Sequence, residues 1–217
     1  MFILLCAATE KELAPTIDFL KTTENGYKVD ILITGVGLIS CTYHLAKQIH
    51  IKPPSLIIQA GIAGSLDESL QPGDVVIVEK DQIGDEGVME QNEFKSLFGL
   101  RLRNENIFPW KQGKLLNTGI DVFKNEGVHL VNGVTVNEIS TNEKRIAHYK
   151  NTLNASIETL EGAGLHYVAL MENIPFLQLR SISNYVGERD KTKWMLSESI
   201  TNLNITLQSI LHKVFSV

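Results

Sequence analysis

Apolar runs of strand length, separated by stretches whose hydrophobic residues recur at helical spacing, constrain this chain more than any other feature of its sequence. Phe2–Ala8, Lys28–Thr34, Ser55–Ala60, Val75–Val78, Val128–Val136 and Phe176–Ser183 read as strands. Helices are predicted from Glu10 to Leu20, Ile39 to Ile49, Asn142 to Thr152, Glu161 to Met171 and Lys191 to Val214. Strands that are apolar throughout need cover on both faces, and helices between them supply it. The expectation is therefore an α/β fold with a central mixed, mostly parallel twisted sheet flanked by helices. A length of 217 residues suits one core, so residues 1–217 are expected to form a single domain. Between Gly84 and Asn117 the period dissolves, which marks a functional excursion or a subunit contact. Phe94 and Phe98, spaced as on a helix, read there either as a core-facing stripe or as part of a ligand wall.

Composition excludes several classes of function. The formal net charge is −5, and no basic stretch is dense enough to neutralise a row of phosphates, so nucleic acid is not an expected partner. The longest apolar stretches fall far short of the roughly 20 residues that span a bilayer, so no membrane association is expected. Met1–Leu5 lacks a basic leader and reads as the start of a strand, which makes the cytoplasm the expected compartment. Two cysteines, Cys6 and Cys41, form no CxxC pair, and the six histidines are scattered. Neither a metal nor another cofactor is expected.

In such sheets ligands sit at the carboxyl ends of the strands, which directs attention to the segments beginning at Thr9, Gly35, Gly61 and Ser183. Thr9-Glu10-Lys11-Glu12 has the T-x-x-E pattern of a helix capping box, and its second glutamate is also placed to act as a general base toward water. Gly35-Val36-Gly37-Leu38-Ile39-Ser40 lacks the third glycine and the acidic partner of a dinucleotide fingerprint. It reads as a tight turn that brings backbone N–H groups to a ligand or a helix start. Gly61-Ile62-Ala63-Gly64, followed by Gln71-Pro72-Gly73-Asp74-Val75-Val76, is a Gly-rich turn or a place where backbone approaches a small ligand. In Leu160-Glu161-Gly162-Ala163-Gly164 the glutamate either complements a helix dipole or serves a site. Arg180-Ser181-Ile182-Ser183-Asn184 ends a strong strand with a polar pair, where Asn184 either caps a turn or contacts a ligand.

In this order along essentially the whole chain, these segments resemble the purine nucleoside phosphorylase/methylthioadenosine nucleosidase superfamily. The resemblance implies a phosphorylase/hydrolase-like fold and a small-molecule purine nucleoside as substrate. It implies that Glu12 acts on the nucleophilic water, Glu161 binds the ribose hydroxyls, and Asn184 meets the purine near N7. It also implies a substrate-binding wall at Thr9, Ile62, Gly64 and Leu160, with purine-contacting backbone at Val136 and Asn137, and a homodimer or higher homo-oligomer. Fixed carboxylates suit this chemistry, because glycosidic cleavage develops positive charge on the sugar.

Two departures narrow the expected reaction. Bacterial phosphorylases of the superfamily hold phosphate with an arginine and a serine where this chain has Gln59 and Ile62. Loss of the guanidinium fork removes the strongest phosphate donor, so water is the expected nucleophile. Methylthioadenosine nucleosidases carry aspartate at the position of Asn184. A carboxamide offers both a donor and an acceptor, which suits a 6-oxopurine such as hypoxanthine. The stretches Ala7–Glu10, Gly84–Val88, Phe108-Pro109-Trp110 and Ile182–Asp190 are similar to the futalosine hydrolase branch, whose members release hypoxanthine from futalosine on the way to menaquinone. For the carboxylate of such a substrate, Arg101, Arg103, Lys111 and Lys114 are candidate partners. The competing expectations are a nucleosidase for methylthioadenosine, S-adenosylhomocysteine or aminodeoxyfutalosine, and a non-catalytic nucleoside-binding module.

Overall fold

The computed structural model describes residues 2–22, 28–91, 93–120 and 128–216. Its elements run in the order β1 (Ile3–Ala7), α1 (Glu10–Thr22), β2 (Val29–Ile33), α2 (Leu38–Ile51), β3 (Leu56–Ser65), β4 (Val75–Asp81), β5 (Gly87–Glu90), β6 (Glu93–Ser96) and β7 (Leu115–Leu116). Then follow β8 (His129–Thr135), α3 (Glu143–Asn151), β9 (Ile157–Thr159), α4 (Gly162–Met171), β10 (Phe176–Tyr185) and α5 (Leu196–Ser216).

The sheet is mixed, and β3 is its pivot. Along one edge β3 pairs first with β1 and then, beyond Gln59, with β9; along the other it pairs with β10. From β10 the order continues through β4 and β8 to β9, so five strands close on themselves while β1 and β2 extend outward. Alternation along β1 shows why the runs are so apolar. Ile3, Leu5 and Ala7 pack on one face with Leu203, Leu207, Ile210 and Leu211 of α5. Leu4 and Cys6 pack on the other face with Cys41, Leu45 and Ile49 of α2 and Leu165, Val168 and Ala169 of α4. Each fully buried Leu or Ile of this kind contributes about 1.5–3 kcal/mol.

Several expectations are corrected. The strand expected to stop at Ala60 runs on to Ser65, and its partner β10 runs past Ser183 to Tyr185. Gly61 and Gly64 therefore lie inside a strand and make close backbone approaches; neither makes a turn. Strand β9 had no counterpart in the sequence reading, since three residues carry no period. The last helix begins at Leu196, because Asp190 caps a separate 3₁₀ turn over Lys191–Lys193 through bonds to the Thr192 N–H and hydroxyl. Phe94 and Phe98 share no helix. Phe94 lies on the β5–β6 hairpin with its ring edge-on to His148, and Phe98 lies in a turn against Trp110. The helical spacing of the two rings was coincidental.

Candidate active site

The carboxyl ends of β1, β3, β9 and β10 surround a cavity of about 340 Å³. Its wall includes Thr9, Glu12, Ile62, Gly64, Leu160, Glu161 and Asn184, so seven widely spaced residues expected from sequence meet in one place.

Glu12 lies in the first turn of α1 and is 8% exposed. Its Oε2 accepts from the backbone N–H and the hydroxyl of Thr9, both at 2.9 Å, which is half of a capping box. Oε1 accepts from the N–H of Ile62 at 3.1 Å. The capping and site readings of Glu12 are thus compatible: the cap fixes a carboxylate that also borders the cavity.

Glu161 stands at the N-terminus of α4 but makes no side-chain cap. Instead its Oε1 accepts from the N–H of Gly37 at 2.9 Å. The Gly35-Val36-Gly37 turn, with positive φ at both glycines, brings that N–H to the carboxylate. Burial pushes the Glu161 carboxyl above its usual range, opposed by Arg180 and the Gly37 N–H and assisted by the like charge of Glu12.

Asn184 follows an irregularity in the β10 register and pairs with Gly64. Its Oδ1 accepts from the Ser183 hydroxyl at 2.7 Å, and its Nδ2 donates to the Tyr185 carbonyl at 2.8 Å. One amide hydrogen and one lone pair stay free for a ligand.

Beneath the carboxylates lies Arg180, which is 1% exposed. Its Nη2 donates to Gln59 Oε1. A Cβ on Gly61 would collide with Arg180 Nη1 and would lie 2.8 Å from Glu12 Oε1, so that glycine makes room for the guanidinium beside the carboxylate. The R-x-I-S-N pattern contained this residue, but its burial was not evident from sequence. Glu158, on the unpredicted β9, is a third carboxylate in the wall. Lys11 and Arg189 are the cations that border the cavity, and Arg189 stands over the Trp194 ring.

Other candidates lie elsewhere. Val136 is fully buried in a cluster with Leu66, Tyr149 and Ala155, and its N–H donates to the Thr159 carbonyl. Asn137 is exposed and bonded to Asp85 through both its backbone and side-chain N–H groups. Ile139, two residues on, borders the cavity instead. Arg101, Arg103, Lys111 and Lys114 do not border it either; Arg103 forms a bidentate pair with Glu86 and stands over the rings of Phe98 and Trp110. Burial pushes the Cys41 thiol up to about 12, and its sulfur accepts from Gln59 Nε2 at 3.2 Å. Among the described residues no cluster of His, Cys, Asp and Glu is arranged to hold a metal, and no helix is long and apolar enough to cross a membrane.

The fold is shared with solved nucleosidases. The native structure of futalosine hydrolase from Helicobacter pylori aligns with a TM-score of 0.82 over 98% of each chain, at 15% identity. The chain itself belongs to the phosphorylase superfamily, whose family pattern it matches over residues 6–216. It is 27% identical over 183 residues to futalosine hydrolase of Thermus thermophilus, covering 83% of this chain and 80% of that protein. It is 23% identical over 196 residues to the 5′-methylthioadenosine/S-adenosylhomocysteine nucleosidase of Halalkalibacterium halodurans, covering 88% and 83%.

Proposed function

We propose that this protein, as one domain over residues 1–217, hydrolyses the N-glycosidic bond of a purine nucleoside, and that the nucleoside is futalosine. The observation that carries the reading is the pairing of a firmly held Glu12 carboxylate with Gln59 and Ile62, neither of which offers a phosphate donor to the cavity. Gln59 is fully buried and spends its amide on Cys41 and Arg180, while Ile62 presents an aliphatic side chain. Water is left as nucleophile.

In the proposed reaction Glu12 orients a water at C1′ and accepts its proton as the C1′–O bond forms. The C1′–N9 bond breaks, and its electron pair leaves with the purine. Asn184 meets the N7/O6 edge, where the leaving base takes up negative charge and then a proton from solvent, to which Glu12 returns the proton it accepted. Glu161 accepts from the ribose hydroxyls and, with Glu12, stabilises the oxocarbenium-like sugar. Thr9, Ile62, Gly64 and Leu160 shape the wall. Lys11 and Arg189, which border the cavity, would meet the carboxylate of a futalosine tail. We also propose a homodimer formed through the exposed apolar side chains of Val36 before α2 and Ile39 and Tyr43 on it, with Leu102, Ile107 and Phe108. Sedimentation of the protein as a monomer at micromolar concentration would reject it.

The test is incubation of the pure protein with futalosine, inosine and methylthioadenosine in phosphate-free buffer, with base release followed by chromatography. Hypoxanthine from futalosine is the expected product. Adenine from methylthioadenosine would keep the hydrolytic mechanism and reject the proposed role of Asn184. Release that requires phosphate would reject hydrolysis.

A further inference from the structure

Glu161 occupies the N-cap of α4, a position that favours the short side chains of Ser, Thr, Asp and Asn, and its own side chain makes no cap. The first N–H groups of the helix are paired nevertheless. The Gly164 N–H donates to the Glu161 carbonyl at 2.9 Å. The Gly162 N–H donates to the Thr159 hydroxyl at 3.2 Å, and the Ala163 N–H donates to the Thr135 hydroxyl at 2.8 Å. Thr135 ends β8 and is level with Thr159 of β9, which brings the two hydroxyls to 3.2 Å from each other. The cap of α4 is thus borrowed from two neighbouring strands.

A hydroxyl has one hydrogen and two lone pairs. That of Thr135 donates to Asp81 Oδ1 at 2.8 Å, so Thr159 is the donor in the contact between the threonines. Thr135 then accepts from Thr159 and from Ala163, and its capacity is fully used. All three side chains are buried, and Thr135, unlike Thr159, does not border the cavity. Gly162 leaves room for the arrangement, since a Cβ there would collide with Asp81 Oδ2 and Gln178 Nε2. A borrowed cap leaves the Glu161 carboxylate unspent, and it turns to the Gly37 N–H and the cavity.

We propose that Thr135 is a positioning residue for Glu161: by capping α4 in its place, it keeps that carboxylate turned toward the ribose. This rests on the reading of the cavity as a nucleoside site. Without the Thr135 hydroxyl, the Ala163 N–H is a buried donor with no partner. The side chain of the N-cap residue is the acceptor that such an N–H ordinarily finds, and a Glu161 drawn back to it leaves Gly37 and the ribose.

Thr135→Val keeps the shape and removes the hydroxyl. Its kcat/KM for base release from futalosine should fall at least about tenfold, and Thr135→Ser should restore it. In a Glu161→Gln background the same Thr135→Val change should alter kcat/KM by less than about twofold, because the residue acts through Glu161. Unchanged activity of Thr135→Val, or an equal loss in both backgrounds, would overturn the proposal. The Gly37 amide resonance reads the placement of Glu161 without turnover: it should shift in Thr135→Val and not in Thr135→Ser, and an unmoved resonance would overturn the proposal. A wild-type protein that releases no base, with the Gly37 shift present, would reject the nucleosidase reading and uphold the link from Thr135 to Glu161. Should Thr135→Val fail to fold, hydrogen exchange in Glu161→Ala decides. The Ala163 amide should keep its protection there, because Thr135 is its partner; loss of protection would make Glu161 the cap and overturn the proposal.

Discussion

The backbone N–H of Ile62 donates to Oε1 of Glu12 at 3.1 Å, joining the Gly-rich half of β3 to the first turn of α1. With Thr9 on the other oxygen, this carboxylate is held in place before any substrate arrives. Preorganisation of this sort suits a group that must orient water. Glu12→Gln keeps the size and one acceptor oxygen but removes the base. Base release in single-turnover assays should fall about 10²- to 10⁴-fold, with the fold retained by circular dichroism. A turnover number near that of the wild type would remove Glu12 from the mechanism.

Gly61 tests the buried cation beneath that carboxylate. A methyl group there collides with Arg180 Nη1 and presses on Glu12 Oε1. Arg180 is fully enclosed and bonded to Gln59, so it has little room to withdraw. Gly61→Ala should therefore cost roughly 1–3 kcal/mol of stability, as overpacking does, and lower turnover at least about tenfold. Thermal melts and base release measure the two effects. A variant with unchanged activity would show that the position of the guanidinium does not matter to the reaction.

Asp81 gives a pH signature. It is fully enclosed; Oδ1 accepts from the Thr135 hydroxyl and the Gln82 N–H, both at 2.8 Å, while Oδ2 has no partner. Burial lifts its pKa to about 6, against the Thr135 hydrogen bond, the nearby Gln178 amide and the charge of Arg180. The folded state therefore holds this proton more tightly than the unfolded chain. Between the unfolded carboxylate range, about 4, and pH 6 the native form binds more protons, so Asp81 makes stability fall as pH rises; above 6 the penalty is constant. Asp81→Asn keeps the Oδ1 acceptor and removes the charge. It should raise the melting temperature at pH 8 relative to wild type, and the gain should vanish by pH 4. A variant less stable at pH 8 would show that the ionised form is required by its neighbours.

Legibility in the sequence followed the range of each interaction. The alternation of apolar runs and helical periods locates β1, α1, α2, α4 and β10, because each buries a face that its own residues announce. Thr9, Glu12, Glu161 and Asn184 were legible because they sit at strand or helix ends, where the chain must change direction, and Ile62 because it stands between the glycines of β3. Glu158 was hidden because β9 has three residues and owes its existence to pairing with β3 and β8. Arg180 was visible as a residue, but its burial depends on Gly61 of another strand. Val136 and Asn137 do not border the cavity. Beyond the end of β8 at Thr135 the chain carries Val136 into the core and brings Ile139 to the cavity, and no period marks these positions.

A last prediction concerns how α1 holds Glu12 from behind. Pro15 interrupts the helix and has no N–H to donate. One residue on, the Thr16 N–H and hydroxyl donate to Asn204 Oδ1 of α5, at 3.1 and 2.6 Å. Asn204 Nδ2 donates in turn to the carbonyl of Glu12 at 2.9 Å. The amide of a distant helix thus spans the rung between residues 12 and 16 and ties the backbone of Glu12 to the core. Asn204 is 1% exposed, so water cannot replace it without rearrangement. Asn204→Ala leaves two donors and an acceptor unpaired, which should cost about 2 kcal/mol or more. Assayed well below its melting temperature, the variant should show a lower kcat with KM changed little, because the water-orienting carboxylate loses its backbone anchor while the purine wall on β3, β9 and β10 is intact. Loss of stability with kcat unchanged would mean that Thr9 and Ile62 suffice to place Glu12, and that Asn204 serves the fold alone.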